Sequence, residues 1–245
     1  MTKKQKPPLD SRIAAAASLV RDGAVVADIG TDHGYLPITL LMEGKISSAA
    51  AADLRPGPLS CAVVNAKKYG VEDSIHFFCT DGMKGIPLTE LHVTDIVICG
   101  MGGELISRIL SENAYIRNSN IQLVLQPMSA VEELRKYLAD NGFAVCEERI
   151  ACSKDKLYQC IAARYDGAPH FYTPAELLLG KQILLRGTSD VLFAPLLQKY
   201  IRKIQREYAG KMEGGADTEK SRNLLEELLQ IAKVKGVDYE RTGIF

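Results

Sequence analysis

Through about residue 165, short apolar runs rich in β-formers alternate with segments whose apolar residues recur at helical spacing. That alternation restricts the chain to a mostly parallel sheet with helices on both faces. Residues 24–29, 47–53, 75–80, 94–99 and 121–126 read as strands. Residues 143–152 and 157–165 read as a closing antiparallel pair joined by a Ser-Lys-Asp-Lys turn. Helices are expected over 9–20, 58–69, 103–110 and 129–141, the last with Ser129 as N-cap, Glu132 at the capping-box position and Gly142 as its stop.

The pattern changes after Asp166-Gly167-Ala168-Pro169. Strand signals cease, and Thr173-Pro174 opens a helix with Glu176 in its first turn. Leu197, Ile201, Ile204 and Tyr208 recur at helical spacing, Gly210, Gly214 and Gly215 break the pattern, and Leu224, Leu225, Leu228 and Ile231 resume it. The chain therefore divides into an α/β part, 1–165, and a helical hairpin, 166–245. Hydrophobic residues make up 47% of the sequence, enough for a packed core and against disorder. Thirty basic and thirty acidic residues cancel, so any surface for a polyanion must be local. None of the six cysteines stands at metal-ligand spacing, and most lie in apolar runs, which predicts small buried side chains in a reducing compartment and no metal. The polar, basic N-terminus and the lack of a membrane-length apolar run make the cytoplasm the expected location.

Candidate chemistry lies at the ends of the strands. Asp28 closes the first, and Gly30-Thr31-Asp32-His33-Gly34 then turns the chain toward a helix. This departs from the dinucleotide fingerprint, because Asp32 stands where a second glycine would meet a pyrophosphate. Carboxylates at Asp28 and Asp32 suit a ligand carrying an ammonium and a sulfonium, such as S-adenosyl-L-methionine; alternatively Asp32 simply caps the helix. The second strand ends in Asp53-Leu54, about twenty residues past the glycine loop, where a carboxylate can accept both hydrogen bonds of a ribose diol. The third ends in Asp81-Gly82-Met83, where the carboxylate can accept from an adenine amino group and Met83 can cover the ring. Singly, each acid is also a plausible turn residue, but together they mark the edge at which open α/β sheets bind ligands.

With Ala27-Asp28-Ile29-Gly30-Thr31-Asp32-His33-Gly34-Tyr35-Leu36-Pro37, Ile98-Cys99-Gly100-Met101-Gly102-Gly103 and Leu125-Gln126-Pro127 in place, the sequence resembles the bacterial tRNA (adenine(22)-N(1))-methyltransferase family. The resemblance implies a doubly wound, Rossmann-like class I methyltransferase sheet followed by a coiled-coil-like helical domain. It implies methyl transfer from S-adenosyl-L-methionine to N1 of an adenine in tRNA, leaving S-adenosyl-L-homocysteine. Two positions depart from the family pattern. Gly34 stands where the family has alanine, and Met128 where it has asparagine, at the end of the fifth strand.

On this reading Asp28, Gly30, Thr31, Gly34, Asp53, Leu54, Asp81, Gly82, Met83, Gly100, Met101 and Gly102 form the cofactor site. Asp32, His33 and Gln126 are the candidates for contact with the reacting base, although His33 also fits a structural loop role and Gly100 to Gly103 a plain strand-to-helix turn. Tyr35 can stack on a base or belong to the core. Lys199, Arg202, Lys203 and Arg206 share one helix face opposite Leu197, Ile201 and Ile204, a stripe suited to tRNA phosphates or to solvent, and Lys3, Lys4 and Lys6 add an N-terminal basic cluster. Two other readings stay open: a methyltransferase for a small molecule or protein, and a non-catalytic RNA-binding protein with a vestigial pocket. The incomplete glycine fingerprint and the closing hairpin place a dinucleotide-dependent oxidoreductase last.

Overall fold

The computed structural model describes residues 5–239. In chain order its elements are α1 (Ser11–Leu19), β1 (Ala24–Ile29), α2 (Tyr35–Met42), β2 (Ile46–Asp53), α3 (Pro56–Tyr69), β3 (Ile75–Cys79), β4 (Asp95–Met101), α4 (Gly103–Ser111), β5 (Gln122–Pro127), α5 (Val131–Asp140), β6 (Phe143–Ser153), β7 (Lys156–Tyr165), α6 (Pro174–Leu179), α7 (Lys181–Arg186), α8 (Phe193–Glu213) and α9 (Glu219–Lys235). Among the described residues seven strands form one sheet in the order β3-β2-β1-β4-β5-β7-β6. β1 to β5 run parallel, and β7 pairs antiparallel with both β5 and β6. The chain builds outward from β1 to β3 and then crosses to β4, so the switch point lies between β1 and β4.

β2 shows why this sheet forms. Its Ala-rich run favours helix by propensity alone. In the sheet, Ala49 and Ala51 pack into one core while Ala50 and Ala52 pack into the other. Small side chains on both faces let helices approach closely, and burial overrides propensity. One core packs α4 and α5 onto the sheet through Ile106, Ile109, Leu134 and Leu138. The other packs α1, α2 and α3 through Ala16, Leu19, Ile38 and Ala66.

The predicted strands end within two residues of the observed ones. Helix α5 is the main local departure. Its N-cap is Ala130, left-handed at φ 52°, and no side chain caps it. The expected Ser129 cap fails because the chain leaving β5 is drawn against the start of α4. Gly103 N donates to Ser129 O at 2.9 Å, and a Cβ at Gly103 would stand 2.1 Å from Ala130 O. Glu132, freed from a capping box, faces Lys203 at 3.6 Å. Cysteine burial also differs from expectation: Cys160 is buried, but Cys61, Cys79 and Cys146 are exposed.

The helical part holds more than a hairpin. Thr173 and Glu176 form the capping box that starts α6, and α7 follows before the long pair α8 and α9. Gly210 lies within α8, so the break comes at Gly214 and Gly215. Phe193, Leu196, Leu197 and Ile201 of α8 pack on Leu228 and Ala232 of α9 and on Ile150 of β6.

A buried polar network fastens this part to the sheet. Arg135 of α5 and Glu148 of β6 are both 0% exposed and lie 2.7 Å apart. Arg135 also donates to Leu177 O and Leu178 O, at 2.7 and 3.2 Å, and to Gln159 Oε1. Glu148 accepts from Gln182 N at 2.9 Å, and Gln159 Nε2 donates to Tyr200 Oη at 2.9 Å. Every charged group in the network has a partner, and the partners come from both sides of the seam.

Candidate active site

At the C-terminal ends of β1, β2 and β4 the sheet opens into a cavity of about 590 Å³, within the range of small-ligand sites. Asp28, Gly30, Asp32, His33, Asp53, Gly100 and Met101 line it. A larger hollow of about 920 Å³ lies elsewhere, between the N-terminal residues and α1 and α2, and holds none of the strand-end carboxylates.

The glycine loop is pinned to the neighbouring strand, since Gly30 N and Thr31 N both donate to Ala52 O at 2.8 Å. Gly30 has φ 79°, and a Cβ there would stand 2.1 Å from Met101 Cε. A side chain at residue 30 would therefore displace Met101 and narrow the cavity. His33 follows at φ 63°, a strained conformation for a residue with a side chain, with its carbonyl held by Asn65 Nδ2 at 2.9 Å.

The carboxylates differ in their surroundings. Asp28 is 6% exposed and has no basic partner. Burial pushes its carboxyl up to about 6, the negative Asp53 adds to the effect, and the Thr31 hydroxyl moderates it. That hydroxyl is itself buried and makes no hydrogen bond of good geometry. Asp53 is 8% exposed, and its Oδ1 accepts from Arg55 N at 2.7 Å. Asp32 projects into the open: its side chain is 70% exposed, with Oδ1 3.4 Å from His33 Nε2. It does not cap α2, whose N-cap is Gly34 with no side-chain bond. Tyr35 stacks on His33, with ring centroids 5.5 Å apart.

Other sequence candidates lie apart from this cavity. Gln126 is 0% exposed, its Oε1 accepting from Gly100 N at 3.1 Å and Arg12 Nη1 at 2.8 Å, and its Nε2 donating to Pro127 O at 2.9 Å. With its amide bonds spent, Gln126 is placed to position the loop after β4 rather than to touch a base. Met83 is 3% exposed in the core beneath the sheet, so its side chain does not cover a ring at the surface. Asp81 follows β3, where Lys84 at 2.9 Å and Arg108 at 3.3 Å hold its carboxyl below the usual carboxylate range. Leu54 is exposed beside Asp53, and Gly102 is the N-cap of α4.

Arg12, Arg55 and Cys99 line the cavity without having been sequence candidates, whereas Met128, expected beside the substrate pocket, does line it. Arg12 of α1 reaches Gln126 and Met128 Sδ, and its guanidinium carbon lies 5.7 Å from the centre of the Tyr158 ring. On a one-turn view of α1 it reads as a surface residue, and only the packing of α1 across the sheet edge brings it in. Burial, reinforced by Asp28, keeps the Cys99 thiol far above its ordinary value and protonated. Of the basic stripe, Lys199 donates to Leu157 O at 3.0 Å and Lys203 pairs with Glu132, so both face the α/β part. Arg206 is exposed. In the N-terminal cluster Lys6 pairs with Glu43, and Lys3 and Lys4 lie outside the described residues.

A buried carboxyl with no basic partner, a buried hydroxyl beside it with no hydrogen bond of good geometry, and a left-handed glycine whose side chain would push Met101 into the cavity form a cradle for a cationic ligand at the switch point. The chemistry of this donor set fits S-adenosyl-L-methionine, whose ammonium and ribose diol both call for carboxylate acceptors. Residues 9–161 match the family model of a methyltransferase domain. The tRNA (adenine(22)-N(1))-methyltransferase of Bacillus subtilis is 30% identical over 224 residues, covering 90% of this chain and 92% of that protein. A Streptococcus pneumoniae protein solved in complex with S-adenosyl-L-methionine superposes with TM-score 0.78 at 27% identity, covering 91% of this chain and 99% of that one. The crystal structure of a tRNA methyltransferase from Bacillus subtilis gives TM-score 0.73 at 28% identity, with 94% and 99% covered. Sheet order, strand-end carboxylates and likeness along nearly the whole chain converge: this chain belongs to the tRNA (adenine(22)-N(1))-methyltransferase family.

Proposed function

We propose that this chain transfers a methyl group from S-adenosyl-L-methionine to N1 of adenine 22 in tRNA. The observation that carries the reading is the buried Asp28, with Thr31 beside it and no cation, at the switch point of a chain related along 90% of its length to an enzyme of that name. S-adenosyl-L-methionine supplies an activated methyl group on a sulfonium. In this reading Asp28 with Thr31 holds the ammonium end of the cofactor, and Asp53 accepts from its ribose diol. Leu54 and the Asp81–Gly82 backbone frame the open adenine end. Gly100, Met101 and Gly102 form the wall toward the acceptor.

The acceptor N1 carries its own lone pair, so the protein needs no covalent intermediate. Its task is alignment and exclusion of water. N1 lies on the pairing edge, so adenine must leave its stack before reaction. Asp32 and His33 stand at the cavity mouth, where the negative Asp32 can offset the positive charge that develops on the methylated base. Gln126 acts as a positioning residue, tying the loop after β4 to Arg12. The chain divides its work near residue 165, with chemistry before it and the face of α8 bearing Lys199, Arg202, Lys203 and Arg206 holding tRNA phosphates after it. Among the described residues no helix is long and apolar enough to cross a membrane, and no cluster of side chains could hold a metal ion. The reading places the protein with tRNA in the cytoplasm.

The test incubates the protein with unmodified tRNA and methyl-labelled cofactor and maps the modified nucleotide. Label on N1 of adenine 22 is the expected result. Label on another nucleotide corrects the position, and no transfer to any tRNA overturns the reading.

A further inference from the structure

A second, smaller cavity of about 230 Å³ adjoins the active site, and Met128 lines both. Its floor is the turn from β5 into α5, and its far wall is α8. Three features give it a chemical character. Lys199 and Lys203, one turn apart on α8, both line it. Tyr158 of β7 presents its ring there, with Arg12 at 5.7 Å from the ring centre. Met128, 45% exposed, is an apolar ridge between the two cavities.

The lysines are held ready in different ways. Lys199 Nζ is fixed by Leu157 O at 3.0 Å and lies 5.5 Å from the centre of the Tyr200 ring. Partial burial, with Lys203 nearby, pulls its ammonium below the ordinary lysine value, so an anion would relieve it. Lys203 faces Glu132 Oε1 at 3.6 Å, in a pair with side chains 54% and 33% exposed. Such a pair is worth little in water, so an incoming anion can replace the carboxylate at small cost. A base stacked on an aromatic ring and a phosphate held by lysines are how proteins grip an unpaired stretch of nucleic acid.

We infer that this cavity is a subsite for the nucleotide adjoining the target adenine, with its base against Tyr158 and Met128 and its phosphate on Lys199 and Lys203. The inference rests on the tRNA reading above and divides the basic stripe. Lys199 and Lys203 act beside the reacting base and set its register, whereas Arg206, exposed and outside this cavity, can serve only more distant phosphates. Glu132 holds the place of the phosphate until RNA arrives.

The test uses the full chain, unmodified tRNA below saturation, and tRNA with a neutral methylphosphonate at either phosphate flanking the target adenine. Lys203→Gln, which gives up the exposed pair with Glu132 and an attraction to Glu207, should lower the methylation rate about tenfold, the loss expected of one charge-assisted contact. Lys199→Gln should do the same, and cofactor affinity by calorimetry should hold in both. One of the two methylphosphonates should slow the wild-type protein by a similar factor, yet slow the Lys199→Gln/Lys203→Gln double variant little further. Fully multiplicative losses at both phosphates, or variants as fast as wild type, overturn the subsite while leaving the methyltransferase reading intact. A wild-type protein that methylates no tRNA overturns both.

Discussion

Two of the places where this molecule buries charge treat it in opposite ways. At the seam between sheet and helices, Arg135 and Glu148 are fully enclosed, and both are paired and hydrogen-bonded. At the rim of the parallel strands, Asp28 is almost as enclosed but has no cation, and the Thr31 hydroxyl beside it has no good partner. A satisfied network has nothing left to offer a ligand; it fixes how elements meet. An unsatisfied one carries a cost in the free protein that a ligand can remove. The seam is therefore read as structural and the rim as functional.

The largest expected effect breaks the seam. Arg135→Met leaves Glu148 buried with no cation, and should destabilise the protein by about 3–5 kcal/mol. Denaturant unfolding measures this. Changing Glu148→Leu as well should recover much of the loss, because an apolar pair of similar volume removes the uncompensated charge. Cofactor affinity per folded molecule should hold throughout. A single variant as stable as wild type would mean that the seam is not closed.

That seam was invisible in the sequence for a physical reason. Arg135 sits in an amphipathic helix among Glu132, Glu133 and Lys136, where a charged residue reads as solvent-facing. Its partners come from β6, β7 and α6, and no local pattern announces them. The rim was far more legible. A β-branched run, an acid and a glycine in succession mark a strand end and a turn at Asp28-Ile29-Gly30, and the topology follows from the strand–helix alternation. What could not be seen there was depth. Gln126 and Met83 sit at strand ends in sequence yet lie inside the molecule, and Arg12 enters from a helix that precedes the motifs. The basic stripe on α8 was legible from its spacing, but not that two of its lysines face the α/β part.

A smaller effect sharpens the rim. Asp53→Ala removes the carboxylate at the end of β2 and should weaken S-adenosyl-L-methionine binding by about 1.5–3 kcal/mol, the range for a hydrogen bond to a charged group. Calorimetry on the folded variant measures it, and unchanged affinity would take Asp53 out of the site.

The smallest effect on stability belongs to Asp32. Its side chain is largely exposed and caps no helix, so Asp32→Asn should shift unfolding by less than about 0.5 kcal/mol. The single-turnover methylation rate should nonetheless fall if, as proposed, Asp32 offsets the charge that develops on the methylated base. A variant with lowered stability and an unchanged rate would make Asp32 a structural residue.

The contrast between seam and rim rests on Asp28. Its carboxyl is raised from the ordinary 3.8 to about 6, so the native protein holds this proton where the unfolded chain has released it. The stability it contributes is present at low pH and lost as pH rises through about 6. A cationic cofactor takes the ionised form and reverses that loss. Calorimetric titration of S-adenosyl-L-methionine into wild type and Asp28→Asn between pH 5 and 7 tests this directly. Wild-type affinity should rise about tenfold across that range as Asp28 ionises, while Asp28→Asn binds more weakly at pH 7 and shows little of the rise. Equal affinities at pH 7, or the same pH dependence in both proteins, would contradict the assignment of the unpaired rim to the cofactor.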